Sequence, residues 1–297
     1  MNSDLNLSTK HLLLVLATIL IWGLNFIAIY YGLKVFSPYL FCTIRFALCA
    51  FPFVFFLPKP NAPIKYLVAY GLINFAIQFG LLFSSINVGL STGLASLLMQ
   101  TQVVFSLILG YLLFGEKPSL IKTIGAIISF IGLGIVGWNI NGESTILGLI
   151  LVLLAALSWS FGNIATKKVN AKSALALVVW GNLFALPFMA LASFFIDGPT
   201  VIMESFLQVD WLTVLAMAYV VYFSTHIAYG VWGFLIQNYP TATVVPYTLL
   251  IPVVGFITAA LFLGEELFSW KVLASAFIMA GLIFNLLEKQ ILKLFNK

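Results

Sequence analysis

Residues 12–33 read LLLVLATILIWGLNFIAIYYGL, without a charged side chain from end to end. Wound as an α-helix at 1.5 Å per residue, such a run is about 30 Å long, the thickness of a bilayer's hydrocarbon core. Outward from it the chain divides into ten apolar spans: 12–33, 38–57, 65–86, 91–114, 120–138, 145–166, 174–196, 211–236, 241–263 and 270–288. Turn-forming residues punctuate them, among them Ser37-Pro38, Pro58-Lys59-Pro60, Asn141-Gly142, Asp197-Gly198-Pro199 and Tyr239-Pro240. The spans are continuously apolar, whereas outer-membrane barrel strands alternate apolar and polar positions over about ten residues. Of the 297 residues 62% are hydrophobic and 8% charged, too few charges to cover a water-soluble surface. No small-residue cleavage site follows the first span, which is also too long for a signal peptide, so it is expected to stay in the mature chain. The expected fold is an all-α integral membrane protein of ten transmembrane helices.

Lys and Arg fix the expected orientation. With the N-terminus inside, the inner segments hold Lys10, Lys59, Lys65, Lys117, Lys122, Lys167, Lys168, Lys172, Lys289, Lys293 and Lys297, and the outer loops only Lys34 and Lys271. Both termini are therefore expected on the cytoplasmic side. The net charge of +5 is a topology signal and gives no reason to expect nucleic acid. Cys42 and Cys49 lie seven residues apart on one helix face, too far for a disulfide, and read as small buried apolar groups.

The chain also repeats itself. Leu112, Gly115, Glu116, Lys122 and Gly132 recur 149 residues later as Leu261, Gly264, Glu265, Lys271 and Gly281. A fainter echo links Trp22 and Asn25 with Trp159 and Asn163. The repeat is five helices long, and an odd number turns the second copy upside down. Residues 1–140 and 141–297 are thus expected to be two inverted five-helix repeats, an arrangement typical of secondary transporters that rock between two openings.

What the spans lack narrows the chemistry. No Asp or Glu sits mid-span, so carboxylate proton relays have no candidate. No G-x-x-x-x-G-K-[ST] loop or metal-binding pattern occurs; no ATP, metal or other cofactor is expected, and no enzymatic activity. Arg45 is the one charge well inside a span, placed to attract a cargo carboxylate, to pair with backbone carbonyls or to reach the outer headgroups with its long stem. Asn25, Gln78, Gln100, Gln102 and Asn163 are amides costly to expose to lipid and expected to face the bundle interior, as cargo ligands or as helix–helix glue. Gln100 and Gln102 are about 200° apart on a helix, so only one of them is expected at a cavity. Tyr219, Tyr222, His226 and Tyr229 recur along one face of the eighth span, and Trp232 extends it. His226 is the only mid-membrane group that titrates near neutrality, the natural proton-coupling candidate. Pro246 and Pro252 remove backbone donors in the ninth span and read as gating or bending points. Gly132, Gly134, Gly137 and Gly281 suit close helix contact or a homodimer interface.

Several of these residues form recognisable strings. Trp22-Gly23-Leu24-Asn25-Phe26, Arg45-Phe46, Gly93-Leu94-Ala95-Ser96 with Gln100 and Gln102, and Phe114-Gly115-Glu116 resemble the EamA family of the drug/metabolite transporter superfamily. The second half continues the likeness with Ser158-Trp159, Gly162-Asn163-Ile164, Lys167-Lys168, Tyr229-Gly230-Val231-Trp232-Gly233 and Pro252-Val253-Val254-Gly255. Within the family the sequence is similar to exporters of O-acetylserine and cysteine in bacterial inner membranes. The resemblance implies a central cavity lined by helices 1, 3, 4, 6, 8 and 9, and export of amino acids or related metabolites. It adds Trp22, Trp159, Tyr229 and Trp232 to Asn25, Arg45, Gln78, Gln100, Gln102 and Asn163 as expected cargo-binding residues. A broader exporter of apolar or toxic compounds, and a membrane-embedded enzyme or scaffold, are the alternatives. The expected partners are a small-molecule cargo and the lipid bilayer.

Overall fold

The computed structural model describes residues 7–102, 104–105, 108–109, 112, 119–139, 145–169, 171–238, 247–248 and 250–287. Five of its helices are long and apolar enough to cross a membrane: Thr9–Leu33, Pro38–Phe55, Ile64–Asn87, Ala174–Leu207 and Trp211–Trp232. Four shorter apolar stretches, Thr123–Trp138, Ile146–Gly162, Leu250–Leu263 and Ser269–Gly281, accompany them. Among the described residues no strand occurs. Large apolar side chains such as Leu20, Phe55, Ile127 and Phe195 stand exposed around the bundle, as a surface solvated by lipid requires.

Local chemistry sets where these helices begin. Ser8 and Ser37 accept from the backbone N–H of His11 and Leu40 and cap α1 (Thr9–Leu33) and α2 (Pro38–Ala50). Two boundaries differ from the sequence reading. The second span was expected to run to residue 57, but α2 ends at Ala50 before Pro52, and a short 3₁₀ turn, Phe53–Phe55, follows; proline disfavours helical backbone in the residue before it. The segment after Asp197, expected as a loop, forms a ten-residue helix, Gly198–Leu207. Gly198 supplies the turn at φ +80° and Pro199 lies in the first turn of the helix, where proline is tolerated because its missing N–H has no intrahelical partner.

Three spans carry π-helical winding, the seventh only briefly at Ser193–Asp197. The third runs as α3 (Ile64–Gly71), a π-helical stretch Leu72–Ile77, and α4 (Gln78–Asn87). The eighth runs from Trp211–Ala218 through a longer π-helical stretch, Tyr219–Ala228, into Tyr229–Asn238. The wider winding splits the expected aromatic face: Tyr219 turns inward and donates to the Ile21 carbonyl (2.8 Å), while Tyr222 is exposed.

The helices Leu120–Trp138 and Ser269–Leu286 cross at glycines. A Cβ on Gly132 would lie 2.8 Å from the Ala274 carbonyl oxygen and 2.7 Å from Ile278, while one on Gly281 would collide with the Gly125 carbonyl and Ser129. These contacts are reciprocal at the 149-residue offset, since Gly125 corresponds to Ala274 and Ser129 to Ile278. Ser129 Oγ also donates to the carbonyl of Ile278, its own counterpart, at 3.4 Å. Reciprocal contacts of this kind are what a two-fold axis between like elements produces. Among the described residues nothing lies within 4 Å of a Cβ added at Gly134 or Gly137, so the close contact belongs to Gly132 and Gly281.

Candidate functional site

A cavity of about 60 Å³ lies in the middle of the bundle, lined by Trp22, Asn25, Phe26, Gln78, Phe79, Leu82, Met99, Gln100, Trp159, Ser224, Tyr229 and Ile251. Its wall is drawn from the first, third, fourth, sixth, eighth and ninth spans. Two of the π-helical stretches border it: Gln78 directly follows Leu72–Ile77, while Tyr219–Ala228 contributes Ser224 and is followed directly by Tyr229. Such wide turns concentrate at functional sites, and nothing in the residue spacing of the sequence announces them.

Three amides bring unmet polarity to this space. Asn25, Gln78 and Gln100 are at least nine-tenths buried, and their side-chain oxygens have no hydrogen-bond partner among the described residues. Leaving such a group unmet costs about 1–3 kcal/mol. The adjoining cavity has room for about four to six waters, enough for a small polar molecule beside these amides. Around the amides stands an aromatic frame. Trp22 packs on Tyr229 and Trp232 with ring centroids 5.2 and 5.3 Å apart, and its Nε1 donates to the Ser224 carbonyl at 3.2 Å.

The remaining expected residues are placed less directly. Trp232 backs Trp22 without lining the cavity. Gln102 is buried outside the lining, and its backbone carbonyl accepts from Ser160 at 2.8 Å. Asn163 lies on the helix Ile146–Val169, but its side chain is outside the described set, and Pro246 lies outside the described residues. Pro252 occurs in the first turn of Leu250–Leu263, one residue from the cavity-lining Ile251.

Arg45 is fully buried and does not reach headgroups or the cavity wall. Its guanidinium carbon sits 3.7 Å from the centroid of the Phe79 ring, with Phe83 and Phe46 at 5.8 and 6.0 Å. Nη2 donates to Thr225 Oγ1 at 3.1 Å, while Nε and Nη1 have no partner among the described residues. Thr225 in turn donates to the Val220 carbonyl five residues back, a spacing that π-helical winding creates. The stacking contributes on the order of 2 kcal/mol, less than the several kcal/mol that burying an unpaired charge costs.

His226 also lies away from the cavity. Its Nε2 is 3.0 Å from the Cys49 carbonyl oxygen, and its ring stacks near Phe53 at 4.3 Å. That carbonyl belongs to the last turn of α2, where the helix has run out of its own donors. A larger groove of about 750 Å³ opens at the end of the bundle near Ser37, Asn87 and Asp197. It is lined mainly by apolar chains, and Asp197 already accepts from Ser37 (2.5 Å) and Ser193 (2.8 Å). The small central cavity, with its unmet amides, is the better candidate for cargo.

The sequence model of the EamA-like transporter family matches residues 9–138 and 146–287. The chain belongs to the EamA-like transporter family. This EamA protein is 38% identical over 286 residues to the "Probable amino-acid metabolite efflux pump" of Escherichia coli (strain K12), covering 94% of this chain and 95% of that one. The same identity and coverage hold for the protein of that name from Salmonella typhimurium. A solved structure described as "Crystal structure of protein" superposes on the EamA chain with a TM-score of 0.64 at 16% identity, covering 96% of this chain and 99% of that one; it shows a shared fold. The chain is thus a multi-pass membrane transporter.

Proposed function

We propose that this transporter exports small amino-acid-like metabolites, of the cysteine and O-acetylserine kind, across a bacterial inner membrane. Residues 1–140 and 141–297 act as two inverted five-helix halves with both termini in the cytoplasm, and rocking of one against the other opens the central cavity to each side in turn. The observation that carries this reading is the small cavity ringed by three buried amides with unmet oxygens. Its volume suits a molecule the size of a small amino acid, and the names of the 38% identical relatives support the same class.

In this reading Asn25, Gln78, Gln100, Trp22, Trp159 and Tyr229 contact cargo. Gln102, Asn163 and Trp232 support that shell, Arg45 acts from behind it, and Pro246 and Pro252 mark where the ninth span bends during gating. The test is efflux of labelled cysteine or O-acetylserine from proteoliposomes. Gln100→Ala is expected to lower saturable efflux at least about tenfold while leaving insertion and thermal stability unchanged; full efflux would remove Gln100 from the site.

His226 is the proposed proton carrier of a gradient-driven cycle. Efflux that follows an imposed pH gradient should become indifferent to it in His226→Gln. Gradient-independent efflux by the unaltered protein leaves the imidazole as the cap on α2. The aromatic frame of Trp22, Phe26, Phe79, Trp159 and Tyr229 favours a second reading, export of larger apolar compounds. Inhibition of amino-acid efflux by hydrophobic cations would support it.

A further inference from the structure

The cavity and the cation behind it carry unmet polarity of opposite sign. Asn25, Gln78 and Gln100 line the cavity, and their side-chain oxygens have no partner among the described residues, so an ammonium group that reaches them finds acceptors. On the far side of Phe79, which itself lines the cavity, lies Arg45. Among the described residues no carboxylate pairs with it. Asp197 is engaged by Ser37 and Ser193, Asp210 by Thr213, and Glu265 by Thr92 and Gly93. A buried charge so poorly matched is retained at a cost, and within a membrane such a charge is by default functional.

The field of that charge reaches the cavity. The Phe79 ring contacts both the guanidinium and the cavity, and a cation on one face of an aromatic ring draws its π-density away from the remainder. The side of the cavity formed by Phe79 therefore favours an anionic group.

We propose that Arg45, acting through Phe79 without touching the cargo, sets the charge that the cavity accepts. A zwitterion lies with its ammonium on the amide oxygens and its carboxylate turned towards Phe79. The same molecule with its carboxylate capped is a net cation and is refused. The inference rests on the amino-acid reading above and adds to it a specificity-determining residue outside the cavity lining.

The experiment compares O-acetylserine with its methyl ester at mildly acidic pH, where the ester is a cation, by equilibrium binding to the purified protein in lipid nanodiscs. A unit charge about 10 Å away at an effective dielectric near 20 changes affinity on the order of tenfold. Unaltered protein should therefore favour the zwitterion by at least about tenfold. Arg45→Gln should bring the ratio to within about twofold, and Arg45→Lys should restore it. If Arg45→Gln does not fold, Arg45→Lys still decides, because it keeps the cation: a folded Arg45→Lys that loses the preference overturns the proposal. Equal binding of the two compounds by the unaltered protein, or an undiminished preference in Arg45→Gln, overturns the charge filter and leaves amino-acid transport standing. Binding of neither compound overturns the amino-acid reading and the filter with it.

Discussion

Gly281→Leu is expected to leave no monodisperse transporter after extraction in mild detergent. A side chain at this position has nowhere to go. Its first carbon already collides with the Gly125 carbonyl and Ser129 Oγ, and lies 2.7 Å from the Ser129 backbone nitrogen. Two of these three neighbours are backbone atoms of a packed helix and cannot rotate aside, so the two helices must separate. Overpacking a core by a few carbons costs about 1–3 kcal/mol when side chains can shift. Forcing backbones apart exceeds that, against a total stability of about 5–15 kcal/mol for a typical domain. Gly134→Leu is the control, because no described residue lies within 4 Å of a Cβ there. Size-exclusion profiles and thermal unfolding of the two variants check the contrast. A Gly281→Leu protein that elutes and melts like the unaltered one would show that the crossing is looser than described.

The second large effect concerns Glu265. Its carboxylate accepts from the Thr92 backbone N–H at 2.8 Å, from the Thr92 hydroxyl at 2.5 Å and from the Gly93 N–H at 3.2 Å. It thereby closes the start of the helix Thr92–Leu98 from across the chain, aided by the positive φ of Gly264 just before it. Nearby, Gly93 and Gly255 let the fourth and ninth spans approach, with Phe256 over one and Ser96 over the other. Hydrogen bonds to a charged group contribute about 1.5–3 kcal/mol each, and three on one carboxylate are not additive. Glu265→Ala is expected to cost about 3 kcal/mol and to broaden the distance distribution between spin labels placed on the two spans. Glu265→Gln keeps one acceptor oxygen and should fall between. An unchanged distribution in Glu265→Ala would mean that packing at the glycines alone holds this end.

Much of the bundle was legible because lipid imposes one rule: helix spans must be continuously apolar, and the polar residues inside them must face inward. That rule finds Asn25, Gln78 and Gln100, and the structure brings these three to one cavity. It says nothing about side chains that meet from distant spans, such as the Arg45 guanidinium on Phe79 and Thr225. Attracting a cargo carboxylate, pairing with backbone carbonyls and reaching the headgroups were the roles expected of Arg45, whereas its guanidinium packs on Phe79 and donates to Thr225. Spacing also misled where the winding changes. The Tyr219 to Tyr229 stripe presupposes three- and four-residue periodicity, and a π-helical stretch occupies that segment. The helix Gly198–Leu207 was missed because Gly-Pro reads first as a turn, although proline just inside a helix start is equally a beginning signal.

The wide turn at Leu72–Ile77 has one further bearing on how this wall of the cavity can move. A π-helical turn holds one residue more than the α-helical turn it replaces. Tightening the stretch to α-helical winding would have to expel that residue along the chain. Each residue is worth about 100° of rotation and 1.5 Å of rise, so the segment beyond would turn on its own axis. Gln78, first in that segment, would swing off the cavity with only one element twisting and no helix tilting as a body. The span thus carries stored screw motion, spent or recovered a residue at a time.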